Sequence, residues 1–287
     1  MSRSRLVKLL PRLAAVSVSC AALLLAATGT ASTAATPSAR AKALKIDPSG
    51  QSMPVGNLPG WKQVFVDNFS VPVPTGKFPA AVSGKWWAYP DGWQDTSRNG
   101  TYSPSKVVSI HDGVMDMHLR TENGVSLVSA PEPKLAGTSR GQLYGRYAVR
   151  YKADPVVGYK VAWLLWPDTD KWSDGEINFP EGNLDDSVAA YMHHRGNPRD
   201  QDEYLSAATF DAWHTAIIEW TPQSVRFILD GTVLGESRDR AVLPVKPMHW
   251  VLQTETNLDG YRPHPASGGH VLIDWIVAYR LAEPPPS

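Results

Sequence analysis

The chain of 287 residues predicts an all-β protein, a two-sheet antiparallel β-sandwich, on three observations. Runs of four to nine residues show β-branched and aromatic alternation and are separated by turn pairs such as Asp91-Gly92, Asp112-Gly113 and Asp230-Gly231. No long amphipathic helical pattern appears. The 22 glycines and 24 prolines punctuate the chain at spacings that suit many short strands packed in two sheets. The segment Thr215–Trp220 and the following Ser224–Leu229 read as a strand pair leading into the turn at Asp230. No internal repeat is evident.

The ends read differently. Arg3, Arg5, Lys8 and Arg12 form a basic region, an Ala/Leu/Val-rich run follows over residues 13–27, and small residues over 28–35 offer cleavage sites, so residues 1–35 read as an export signal. The apolar run is broken by Ser17 and Ser19 and falls short of the roughly 18 to 20 residues of a membrane span. Residues 36–59, rich in Ser, Pro, Lys and Gly, read as a flexible lead-in. Residues 60–282 read as one domain and residues 283–287 as a Pro-rich tail. The expected product is secreted, extracellular, soluble and monomeric.

Charge and cysteine content narrow the function classes. The chain holds 28 basic and 28 acidic residues, and loss of the four basic residues at the start leaves 24 against 28, a net charge near −4. A mildly acidic product has no basic face for nucleic acid and no polybasic membrane tether. The only cysteine, Cys20, lies in the apolar run, so the fold is expected to stand without disulfides, as a core of over 200 residues can.

Residues 176–181 read Glu-Ile-Asn-Phe-Pro-Glu, two carboxylates five positions apart around a central amide. Strict strand alternation puts Glu176 and Asn178 on one face and Glu181 on the other, because odd offsets change face. One extra residue returns Glu181 to the shared face. A β-bulge supplies it, and Pro180 suits a bulge because proline cannot donate to a ladder. The backbone separation is then roughly 13 Å. Inward-leaning side chains can bring the carboxyls toward the roughly 5 Å of retaining glycosidases, which need one ionised and one protonated group. Outward-facing glutamates on a solvated strand would have the same spacing.

The run Trp172–Glu181 (WSDGEINFPE) resembles the signature of glycoside hydrolase family sixteen, the laminarinase-like and lichenase-like β-glucanases, whose core is Glu-x-Asp-x-x-Glu after a Trp and a Gly. Similar segments stand around it in family order: WKQVFVDNF from Trp61, YSPSKVVSIHDGVMDMHL from Tyr102, YGRYAVRYK from Tyr144, VAWLL from Val161, HTAIIEW from His214, FILDG from Phe227 and IDWIVAY from Ile273. The likeness spans residues 60 to 281. It implies a jelly roll of the concanavalin-like type with a substrate cleft across its concave sheet. It implies Glu176 as nucleophile and Glu181 as general acid/base, with no cofactor required and a polysaccharide as partner. The central aspartate is Asn178 here, which removes a negative charge and adds an amide donor. The expectation is that this amide donates to Glu176, orients it and favours its ionised form, and so alters the pH profile.

Several other residues acquire expected roles. Trp163 and Trp172 flank the catalytic strand in family-like positions and are expected to stack on sugar rings. Trp220 and Trp275 sit in tight strand patterns and are expected to be buried; Trp86, Trp87, Trp93, Trp166 and Trp250 stay open between the two roles. His193, on the next strand, is expected at the substrate or Glu181. A metal pair with His194 is rejected because consecutive strand residues point to opposite faces, and the Asp168-x-Asp170 pair lacks the glycine and ligands of a calcium loop. No metal is expected at the active site, although the resemblance implies a structural calcium near Asp274. Gln253 and Glu255 alternate onto one face and are expected to bind sugar hydroxyls or to form a solvated edge. Ala148 stands where relatives often place a cleft-lining glutamate, which opens the question of substrate.

The function these readings imply is a secreted retaining endo-glycosidase acting on β-1,3- or mixed β-1,3/1,4-glucan, because the bulged spacing is that of the laminarinase-like branch. The alternatives are a weakly active or non-catalytic polysaccharide-binding sandwich, or a family relative acting on agarose, carrageenan or xyloglucan, since loop shape selects among them.

Overall fold

The structure is a computed structural model that describes residues 47–135, 137–138 and 140–282. The expected export signal and the Pro-rich tail lie outside the described residues. All three anticipated Asp-Gly pairs lie in turns and two of them close hairpins, whereas Asp91-Gly92 lies between Trp86–Ala88 and Gly100–Tyr102, which pair with other strands. Asp112 and Gly113 (φ 49° and 82°) join Val108–His111 to Val114–Glu122, and Asp230 and Gly231 (φ 49° and 82°) join Val225–Leu229 to Thr232–Ser237. Positive φ at both central residues matches the right-handed twist of the flanking strands, and Asp-Gly tolerates it. His214–Trp220 pairs antiparallel with Val225–Leu229, the anticipated strand pair.

The strands form two main sheets. The larger has ten strands, running in space from Thr232–Ser237 through Val225–Leu229, His214–Trp220, Gly145–Ala153, Gly269–Leu281 and Val114–Glu122 to Val125–Val128 and Gly100–Tyr102. Trp61–Asp67 also pairs with Gly269–Leu281, and Val108–His111 with Val114–Glu122. The smaller sheet has five strands in the order Gln201–Thr209, Ser187–His193, Glu176–Asn183, Tyr159–Pro167, Met248–Thr256, all antiparallel. Gly100–Tyr102 with Val125–Val128 is parallel, a departure from the all-antiparallel expectation. The sandwich class stands.

Alternation builds the core between the sheets. Met115, Met117 and Leu119 point inward from the larger sheet while Asp116 points out. Ile177, Phe179, Trp163, Leu165, Trp250 and Leu252 point inward from the smaller one. The sheets meet through edge-to-face aromatic pairs, Phe179 on Phe227 at 5.6 Å, Trp163 on Tyr151 at 5.1 Å and Trp250 on Tyr147 at 5.2 Å. Such pairs add about 0.5–1.5 kcal/mol each beyond burial. Trp220 is in this core, its Nε1 donating to the Pro244 carbonyl.

A second cluster lies on the outer face of the larger sheet: Ala148, Ile217, Trp275, Val277 and Tyr279, with Met53 and Trp61 packed on it. Two expectations are corrected here. Ala148 does not border the cleft; its strand belongs to the outer sheet, and its methyl is buried in this cluster. Residues 47–59, within the expected flexible lead-in, are docked. Trp275 Nε1 donates to the Gln51 carbonyl at 2.8 Å, Gln63 Nε2 donates to the Pro54 carbonyl at 3.1 Å, and the Ser49 backbone N–H and hydroxyl donate to Asp274 Oδ2.

That last contact bears on the implied calcium. A calcium ion takes six to eight oxygens, usually several carboxylates. Among the described residues no group of three or more His, Cys, Asp or Glu side chains could hold a metal ion. The buried Asp274 accepts from Ser49 at its Oδ2. No helix among the described residues is long and apolar enough to cross a membrane.

Candidate active site

The bulge is present and does what the spacing requires. Along Glu176–Asn183, Asn178 stands opposite Tyr191 and Glu181 opposite Ala189, so three steps on one strand match two on its neighbour. The other neighbour agrees, with Asn178 opposite Leu164 and Glu181 opposite Ala162. Phe179 turns into the core, Pro180 occupies the irregularity, and Glu176, Asn178 and Glu181 line one cavity of about 450 Å³. Gly182 follows with φ 151°; a Cβ there would sit 2.7 Å from the Ser187 carbonyl oxygen, so the chain passes too close for a side chain.

The register decides which neighbours share the cleft. On Tyr159–Pro167 the residues opposite Glu181 and Asn178 are Ala162 and Leu164, so Lys160 and Trp166 face the cleft with them and Trp163 faces the core. Trp163 is 0% exposed, which corrects the expectation that it stacks on sugar. Trp166 lines the cleft instead. Trp172 is 40% exposed, lines the cleft beside Glu176 and lies 5.7 Å from the His193 ring, as expected of a stacking platform. Of the undecided tryptophans, Trp86 and Trp250 are buried, Trp87 lies under the Lys134 ammonium, and Trp93, 58% exposed, lines the cleft with Trp166.

His193 stands opposite Glu176, whereas Glu181 faces Ala189. Its Nδ1 pairs with the Pro198 carbonyl at 2.9 Å, leaving Nε2 for another partner, and His194 turns away to Asp202. Gln253 lines the cleft next to Ala162 in register. Glu255 also borders it, but its Oε1 accepts from the Tyr102 hydroxyl at 2.8 Å and the Thr96 backbone N–H at 2.9 Å. Glu255 therefore ties the 94–102 loop over the sheet, which corrects its expected role as a sugar ligand. Asp95 fastens the same loop from Gly100 N–H and Thr256 N–H, and a Cβ on Gly100 would fall 2.4 Å from its Oδ2. Burial and the neighbouring Glu255 push the Tyr102 hydroxyl far up, so it stays a donor.

The two glutamates have different surroundings. Burial pushes Glu176 above the ordinary carboxylate range; His193 and the Asn178 amide pull it down, Glu181 pushes it up, and the Trp172 indole pulls it down. Glu181 instead meets two donors: Lys160 Nζ at 2.7 Å from Oε1 and Asn178 Nδ2 at 2.8 Å from Oε2. The expectation that the amide serves Glu176 is thus only part of the arrangement. An amide carries two N–H groups, and the short hydrogen bond goes to Glu181. An aspartate at 178 would set two carboxylates against each other there and require a shared proton.

Sequence reading missed Lys160, Tyr89, Tyr191 and Glu203. Lys160 had a signal, being the one charge in the apolar strand Tyr159–Pro167 (YKVAWLLWP). The others come from loops or from strands whose facing depends on register. Tyr191 donates to Glu203 Oε1 at 3.1 Å, and burial with that carboxylate pushes its hydroxyl up to about 12. The cleft runs on from the aromatic cavity of about 460 Å³ at Trp93 and Trp166 past the glutamates to a polar one of about 450 Å³ at Asp186 and Asp259.

The sequence profile described as glycosyl hydrolases family 16 matches residues 95–277. No curated protein sequence matches the chain. Among solved structures, SCLam, described as a non-specific endo-beta-1,3(4)-glucanase from family GH16, superposes with a TM-score of 0.63 at 18% identity over 80% of this chain and 95% of its own. The laminarinase from Rhodothermus marinus gives 0.63 at 20% identity over 78% and 98%. LamAcat from Zobellia galactanivorans gives 0.59 at 19% identity over 76% and 97%. At these identities the likeness carries the jelly-roll fold.

Proposed function

The chain belongs to glycosyl hydrolases family 16 and is a glycosyl hydrolase, and from that premise we propose that it is an exported endo-glycosidase that cleaves a neutral β-1,3- or mixed β-1,3/1,4-glucan with retention. The observation that carries this reading is the bulge between Asn178 and Glu181, which turns Glu176 and Glu181 into one cavity beside Trp172. Glu176 attacks the anomeric carbon while Glu181 gives its proton to the leaving oxygen. Glu181 then takes a proton from the water that releases the glycosyl-enzyme.

Charge supports the neutral substrate. The cleft is lined by Glu176, Glu181, Glu203, Glu255, Asp186 and Asp259, against Lys160 as the only Lys or Arg among its described lining residues. A sulfated or uronate chain would meet like charges in a site of low dielectric. Trp93, Trp166 and Trp172 offer flat apolar faces to uncharged pyranose rings. The basic region, apolar run and small residues over 1–35 support export. The structures of endo-β-1,3(4)-glucanase and laminarinase with the same fold support the glucan class.

A second reading, a polysaccharide-binding sandwich without turnover, draws on one observation: both oxygens of Glu181 are already engaged by donors. Purified protein incubated with laminarin, mixed-linkage β-glucan and a sulfated galactan decides. Reducing ends are expected from the neutral glucans and none from Glu176→Gln. Binding without release by the wild type would leave only the second reading.

A further inference from the structure

The reaction proposed above gives Lys160 no part, yet it is placed against the group that does the proton chemistry. It rises from Tyr159–Pro167 on the cleft face, opposite Asn183 on one neighbouring strand and Glu255 on the other. Its side chain is 8% exposed and its ammonium lies 2.7 Å from Glu181 Oε1. Burying an ammonium costs several kcal/mol unless it is paired. The nearby acids are otherwise occupied, since Glu255 holds Tyr102 and Thr96, and Glu203 accepts from Tyr191. Lys160 and Asn178 thus each hold one oxygen of Glu181, and both are donors, so both contacts are made to a carboxylate that accepts.

We propose that Lys160 is a positioning residue for the second half of the reaction, holding Glu181 as the proton acceptor for the attacking water. The inference rests on the double displacement proposed above. In that half-reaction the water oxygen bonds to the anomeric carbon, the bond to Glu176 breaks with its electron pair returning to the carboxylate, and the water proton passes to Glu181. A carboxylate gripped at both oxygens is aimed for this transfer. In the first half Glu181 must instead carry the proton to the leaving oxygen, and an ammonium beside it gives no help. The contribution of Lys160 therefore falls on deglycosylation.

The test uses a 2,4-dinitrophenyl β-glycoside of laminaribiose or cellobiose, whose leaving group departs without an acid, followed by stopped flow in wild type, Lys160→Met and Lys160→Arg. Lys160→Met is expected to lower kcat by roughly ten- to a hundredfold, against the 10²–10⁴ of a full general base, while kcat/KM changes by less than about twofold and a burst of dinitrophenolate appears. Lys160→Arg recovers part of kcat. Equal losses in kcat and kcat/KM, or an unchanged kcat, with wild-type thermal melting in either variant, would overturn the assignment while leaving the hydrolase reading intact. A wild type that releases no dinitrophenolate overturns that reading, and this inference with it.

Discussion

Replacing Glu132 by glutamine is expected to remove one pH-dependent component of the stability. Glu132 sits on Pro131–Pro133, 6% exposed, with Arg140 Nε 3.9 Å away and Asp168 and Asp170 in its field. Burial is the largest influence and raises it; Arg140 lowers it and the two aspartates raise it, and the outcome is a shift from 4.5 to about 7. In the window between those values the folded protein holds a proton that the unfolded chain has released, so stability is full below 4.5 and falls as pH rises toward 7. The shift spans 2.5 pH units, and at about 1.36 kcal/mol per unit the loss is about 3 kcal/mol. Glutamine keeps the shape and cannot ionise. Urea denaturation of wild type and Glu132→Gln at half-unit intervals from pH 4 to 9 should give a difference that climbs by about 1.4 kcal/mol per unit through the window and levels off above 7. A difference independent of pH would show that Glu132 is ionised in the fold and that its burial is compensated by Arg140.

Other expectations follow from the same coordinates. Because burial raises Glu176, the acid limb of kcat/KM should lie above the ordinary carboxylate value of 4.5, activity falling as pH drops through the raised value; a limb at or below 4.5 contradicts this. Trp163→Ala should cost about 3–5 kcal/mol in chemical denaturation, whereas Trp166→Ala should raise KM with little change in melting temperature; equal effects would mean that the register is misread. Gly182→Ala forces a Cβ to within 2.7 Å of the Ser187 carbonyl oxygen at φ 151°, so it should cost roughly 1–3 kcal/mol and lower kcat through Glu181 next door. Wild-type melting and activity would refute the close approach.

The hairpins, the sandwich class and the bulged hexapeptide were legible because each depends on local chemistry. Asp-Gly tolerates positive φ wherever it stands, and a proline in a strand marks an irregularity in the ladder. Parity was harder. In Tyr159–Pro167 every second residue faces the cleft, but its apolar run contains tryptophans in both sets, and only the pairing of Asn178 with Leu164 reveals that Trp166 is outward and Trp163 inward. A strand apolar on both faces carries no alternation to read. The same pairing brings Lys160 to Glu181, an interaction 21 positions apart in the chain that no local pattern announces.

What the chain determined by itself was the bulged strand: two glutamates, an amide and a proline whose spacing requires one extra residue to share a face. What the tertiary structure decided was the company those glutamates keep. Lys160 and Asn178 hold Glu181 while burial weighs on Glu176, and Glu255 is diverted to hold a loop. The reason is physical: alternation is set by neighbours along one strand, whereas electrostatic environment is set by side chains from adjacent strands and loops, whose placement follows register and packing.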